Sequence, residues 1–221
     1  MPLDLPRWSC AELADTLQAG LAAAIEAIEL EQPVRGLDAS TELALHPLLH
    51  RILRDAGHGV HPEQRYPGDR GKRRRSEGLR CDMALTPAGR PLVGDEAQLG
   101  LFAPQDPVAL RDALWIEVKV VAQFRELLPN RAYEQALLGP VWRDVLKLAR
   151  DPGIVHAMVL LILFTADAPT ATHDLDIWAL HAHDAGLPLR RREQRSVPLR
   201  DRGGNALCTV ALFRLDPVSR S

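Results

Sequence analysis

The sequence predicts an α/β fold: a central mixed β-sheet flanked by helices, with a C-terminal β-hairpin. Three observations carry this expectation. Two stretches near the start, Ala11 to about Leu30 and about Ser40 to Ala56, place apolar residues at helical spacing. Val155 to Thr165 is almost entirely apolar, as expected of a central strand covered on both faces. Leu114 to Val121 alternates, with Trp115, Glu117, Lys119 and Val121 on one face and Ile116, Val118 and Val120 on the other.

The length of 221 residues suits a single domain with a sizeable core. Within it, 11–56 holds the N-terminal helices, 57–165 the core sheet with an insertion at 87–112, and 166–221 a helix and the hairpin. The formal net charge of −2 excludes nucleic-acid binding by bulk charge alone, so any such binding uses local patches or a partner. Cys10, Cys81 and Cys208 are odd in number and far apart, with no zinc spacing and no disulfide framework. A reducing cytoplasm is the expected compartment. The opening MPLDLPRW is unlike a signal peptide, and the longest apolar run is too short to span a bilayer.

Taken in order, the first helix stops at Gln32-Pro33, because the residue before proline avoids the α region. The second buries Leu45, Leu48, Leu49, Ile52 and Leu53 and stops at Gly57. Pro47 inside it implies a later start or a kink, since proline is tolerated only in a first turn. Gly59 to Tyr66 and Leu79 to Thr86 read as strands, joined by a basic loop holding Arg70, Lys72, Arg73, Arg74 and Arg75. Asn130 to Arg150 is helical, restarting at Gly139-Pro140. His173 to Ala185 reads as an amphipathic helix, with Trp178 in the core as Trp142 is in its own segment. Ser196 to Arg200 is expected to pair with Ala206 to Leu215 across Gly203-Gly204-Asn205. The basic residues Arg190, Arg191, Arg192 and Arg195 read as a linker ahead of that hairpin.

The chemistry-bearing pieces are Arg80-Cys81-Asp82-Met83 and Ile116-Glu117-Val118-Lys119, apolar strands interrupted by charge. A lone charge in a core is costly, and two acids with one lysine offset that cost together. Glu117 and Lys119 share a face, and a neighbouring strand can bring Asp82 to the same ion. Magnesium accepts one or two carboxylates and keeps water or phosphate oxygens for the rest.

This order of elements, with an Asp-bearing strand followed by a Glu-x-Lys strand, resembles the PD-(D/E)XK nucleases of restriction-endonuclease-like fold. The resemblance covers about Thr41 to Thr165. It implies that Asp82, Glu117 and the Val118 carbonyl hold Mg²⁺, with Mn²⁺ as substitute, and that Lys119 is the catalytic lysine. Glu42 would be the acidic residue many members carry on the helix before the sheet. Cys81 stands where many members have proline. The implied activity is endonucleolytic hydrolysis of DNA phosphodiesters, with Arg70, Lys72, Arg73, Arg74, Arg75 and Lys147 on the nucleic acid. A homodimer or a partner protein would deliver the substrate.

Other readings stand beside this one. The charged cluster can be a structural salt-bridge set, or the site of a nuclease-like subunit that binds without turnover. Lys147 can be an i,i+3 partner of Asp144. His46 and His50, one turn apart, can bind zinc. Asp95-Glu96 is a reserve acidic pair.

Overall fold

The computed structural model describes residues 8–69, 80–94, 106–139 and 141–216, with side chains at 141–144 excepted. Helix α1 (Cys10–Leu30) is capped by Ser9, whose hydroxyl accepts the Glu12 N–H, and it buries Leu13, Ala14, Leu17, Leu21 and Ile25. Helix α2 (Glu42–Asp55) begins at Thr41, whose side chain accepts the Ala44 N–H. Pro47 lies inside this helix without moving its start. Proline withholds the N–H that the Leu43 carbonyl would accept, and Leu43 is exposed, so water can replace that donor.

The strands are β1 (Gly59–Arg65), β2 (Arg80–Thr86), β3 (Leu92–Val93), β4 (Val108–Ala109), β5 (Leu114–Ala122), β6 (Phe124–Arg125), β7 (Leu128–Pro129), β8 (His156–Thr165), β9 (Glu193–Pro198) and β10 (Leu207–Leu215). Helices α3 (Tyr133–Leu138), α4 (Val141–Arg150) and α5 (Ala168–Asp184) complete the order. Six strands form one mixed sheet, β1-β2-β5-β8-β10-β9, in which only β5 and β8 run parallel. The expected α/β architecture with a C-terminal hairpin is therefore present.

The sheet separates two cores. On one side α1 and α2 cover Leu85, Ile116, Val118, Val120, Ile162 and Val210. On the other, α3, α4 and α5 cover Trp115, Val121, Leu161, Leu163 and Phe213. β8 supplies residues to both, which is why its sequence is apolar throughout.

Several boundaries differ from expectation. Helix α5 starts at Ala168, because Asp167 caps it by accepting the Thr170 N–H. The insertion at 87–112 holds a short parallel ladder between β3 and β4. The first hairpin strand begins at Glu193 and ends at Pro198, and its partner starts at Leu207, so the connection is wider than Gly203-Gly204-Asn205. Gly204 has φ +106°, and a Cβ there would lie 2.5 Å from the Phe124 ring. The expected basic linker is instead tied down: Arg195 lies in β9 and pairs with Asp15 of α1, and Arg192 pairs with Asp176 of α5. The Trp142 and Asp144 side chains and the Asp95-Glu96 pair lie outside what the structure describes, whereas Trp178 is fully buried. No described helix is long and apolar enough to cross a membrane.

Candidate active site

The site grows from the place where β2 and β5 part. Their antiparallel ladder runs Leu85↔Leu114, Ala84↔Trp115, Met83↔Ile116 and ends there. The next residue on each strand is Asp82 and Glu117. Beyond this point no described strand lies against this edge of β5, and its backbone donors turn to side chains. Asp82 Oδ2 accepts the Val118 N–H at 2.7 Å. Glu42 Oε2 accepts the Val120 N–H at 3.1 Å. A strand residue's N–H and C=O point to the same side, so the Val118 carbonyl also faces this fork.

Lys119 sits between these two positions. Its Nζ lies 3.0 Å from Glu42 Oε2 and 3.2 Å from Oε1. Glu42 belongs to α2, on the face opposite Trp115 and Val121, so Lys119 reaches it around the uncovered strand edge. Both side chains are partly shielded, 19% and 31% exposed, so the pair is stronger than one in open solvent. Glu117 is buried, and one carboxylate oxygen accepts a short hydrogen bond from the Tyr66 hydroxyl. The Tyr66 ring stacks on Trp115 with centroids 6.1 Å apart, which fixes the phenol under Glu117.

Cys81 feels the charge of both acids. Its thiol points to the Ile116 carbonyl at 3.2 Å. Burial pushes its pKa well up, the negative charge of Glu117 adds to this, and that of Asp82 adds less. The buried Cys208 thiol is likewise pushed up to about 12, mainly by burial. Neither thiol is poised as a nucleophile.

On its other side Asp82 meets β1 and α2. The β1–β2 register is constant from Gly59↔Thr86 to Arg65↔Arg80 and places Glu63 opposite Asp82, at a position where the pairing lapses. Glu63 has φ +52°, a left-handed conformation unusual inside a strand. His46 of α2 offers a ring nitrogen to the same place: ligand atoms of His46, Glu63 and Asp82 all lie within 4.8 Å of one another. His46 is 6% exposed, and its buried Nε2 has no hydrogen-bond partner. His50, whose ring centroid is 6.0 Å from that of His46, is not part of this group. Burial lowers the His50 pKa, and His46 and Arg54 lower it further against the opposing charge of Asp82.

The structure thus brings Lys119 onto Glu42, and Asp82 onto the backbone of Val118. Asp82 and Glu117 stand at corresponding positions of the fork, Asp82 bonded to the Val118 N–H and Glu117 to the Tyr66 hydroxyl. Lys147 lies in the last turn of α4, among the helices on the Trp115 side of the sheet. Arg70, Lys72, Arg73, Arg74 and Arg75 lie outside the described residues. Sequence reasoning missed Glu63 and Tyr66 and paired His46 with His50 instead of Asp82. The signal for Glu63 was its place in the strand paired with β2, available only once that register is known. Nothing in the sequence marked Tyr66. A surface cavity of about 460 Å³, lined by Gln32, Pro33, Val34, Arg200, Asp201 and Arg202, includes none of these groups.

A scan against protein-family models found none that matches this chain, and searches of curated proteins and of solved structures found no match either.

Proposed function

We propose that this chain is a metal-dependent nuclease, hydrolysing nucleic-acid phosphodiesters with DNA as the favoured substrate. The observation that carries the reading is the β2–β5 fork. Its ladder stops at Met83↔Ile116, directly before Asp82 and Glu117, and Lys119 follows on the edge left open. Buried or half-buried charges are expensive in a sheet, and a catalytic site explains their concentration at one strand end.

The donor types suit a divalent cation. Asp82 and Glu117 provide hard carboxylate oxygens, and the Val118 carbonyl faces the same fork. A bound Mg²⁺ or Mn²⁺ would lower the pKa of a water molecule and polarise a phosphoryl oxygen. The chain's own groups do the rest. Tyr66 holds one oxygen of Glu117, which sets that carboxylate's orientation. The Val118 N–H does the same for Asp82. Lys119 carries a proton at Nζ, and Glu42 holds the ammonium at the fork. In that place it stabilises charge developing on the phosphate or orients the attacking water. The basic segment Arg70–Arg75 and Lys147 would grip the nucleic-acid backbone, which gives affinity without sequence choice. With a net charge of −2, a second copy or a partner protein would complete the substrate surface.

Purified protein with Mg²⁺ or Mn²⁺ should nick supercoiled plasmid, and Lys119→Ala should lower the rate by about 10²-fold or more, the scale of a lost electrostatic group. A second reading is a nuclease-like subunit that binds without turnover. It is favoured by the pairing already present, since Lys119 is neutralised by Glu42 and Glu117 is held by Tyr66. Wild type and Lys119→Ala equally silent on duplex, single-stranded and branched DNA would decide for that reading.

A further inference from the structure

We propose that His46, Glu63 and Asp82 form a binding site for a first-row divalent transition ion, preferred over Mg²⁺. Three elements contribute one donor each: α2, β1 and β2. Their ligand atoms lie within 4.8 Å of one another. Three donors placed evenly about 2.1 Å from one ion lie about 3.6 Å apart, and no two of them can be more than about 4.2 Å apart. From separations of up to 4.8 Å the donors close inward by about half an ångström or more on binding, and Glu63, which is exposed, has room to move.

The second observation is the imidazole. His46 is 94% buried by its 6% exposure, and its Nε2 lacks any hydrogen-bond partner. A buried ring nitrogen left unpaired is costly, so the position needs an explanation. A cation supplies one, because a neutral imidazole nitrogen is a ligand as well as a hydrogen-bonding group. The two carboxylates bring two negative charges to balance a divalent ion.

The donor set also selects the ion. Mg²⁺ takes oxygen ligands in a strict octahedron and retains its waters. An imidazole beside two carboxylates suits Mn²⁺, Fe²⁺ or Zn²⁺ better. This site shares Asp82 with the nuclease reading but does not rest on it. His46 and Glu63 belong only to the set proposed here, and Glu117 only to the other. Ion binding is also measured without substrate, so silence in the plasmid assay leaves this proposal standing.

The test uses untagged full-length protein titrated with Mn²⁺ by calorimetry, and the bound ion read by pulsed electron paramagnetic resonance. Wild type should show nitrogen modulation from one imidazole, and excess Mg²⁺ should displace Mn²⁺ poorly. His46→Gln should abolish the modulation. Glu63→Gln, at an exposed position where the fold is not at risk, should weaken Mn²⁺ by about tenfold or more, as loss of a ligand must cost at least what loss of its support does. The proposal is overturned by Mn²⁺ bound without nitrogen modulation, or by Glu63→Gln binding as tightly as wild type. Modulation that survives His46→Gln and disappears in His50→Gln would overturn it too.

Discussion

The buried carboxylate of Glu117 accepts a hydrogen bond from a phenol on the neighbouring segment. Tyr66 is itself buried, stacked on Trp115, and donates its hydroxyl to Glu117. A hydrogen bond to a charged group is worth about 1.5–3 kcal/mol, and the desolvated acceptor makes its loss costly. Tyr66→Phe keeps the ring and deletes only the donor. It should lower the unfolding free energy by about that 1.5–3 kcal/mol, read from urea midpoints at unchanged m-value. An unchanged midpoint would mean that Glu117 is held by other groups. The contrast between Glu117 and Tyr66 also shows what was legible at this scale. Glu117, Lys119 and Asp82 could be picked out because each interrupts an apolar strand, where charge is out of place. Tyr66 could not, because a tyrosine at a strand end is ordinary and its role exists only through a contact 51 positions away in sequence. Glu63 was hidden for a related reason: its importance comes from standing opposite Asp82, which is a property of strand register.

Among the elements, the close approach of α1 and α2 turns on Gly20. A Cβ built there would sit 2.5 Å from both Cγ atoms of Ile52, which is 8% exposed and has little room to move. Replacing glycine by alanine inside a helix normally gains about 1 kcal/mol of propensity. Overpacking a formed core costs about 1–3 kcal/mol, so the steric effect wins here. Gly20→Ala should lower Tm, and Gly20→Ala with Ile52→Val should recover part of the loss. A Gly20→Ala variant that melts higher than wild type would show that the helices separate at no cost. Elements of this kind were largely legible: α1, α2, β5 and β8 follow from apolar period alone. Their ends were less so. The start of α5 at Ala168 depends on the Asp167 cap, and β9 begins at Glu193 because Arg192 and Arg195 find acids on α5 and α1. Those partners are distant in sequence, so a basic stretch that reads as a linker becomes an edge strand pinned to two helices.

For the molecule as a whole, two histidines outside the candidate site tie stability to pH. His156 opens β8, and both of its ring nitrogens are buried without a hydrogen-bond partner. Burial lowers its pKa, Arg214 lowers it further, and Asp112 opposes them. His58, beside the Trp8 ring, is lowered by burial against the opposing charge of Glu12. Each imidazole is therefore held neutral in the folded chain below the ordinary value of about 6.5, where the unfolded chain takes up a proton. Stability rises with pH wherever the unfolded state binds more protons. The contribution of these two groups is thus unaffected well above pH ~6.5 and becomes a penalty as pH falls through that value. Urea midpoints should drop between about pH 7.5 and pH 5.5, across the imidazole range. His156→Leu removes the titrating group and leaves no orphaned nitrogen, so its midpoint should fall less over the same interval. An equal slope for wild type and His156→Leu would place the acid sensitivity elsewhere, in His58, His50 and His61, whose pKa values burial also lowers.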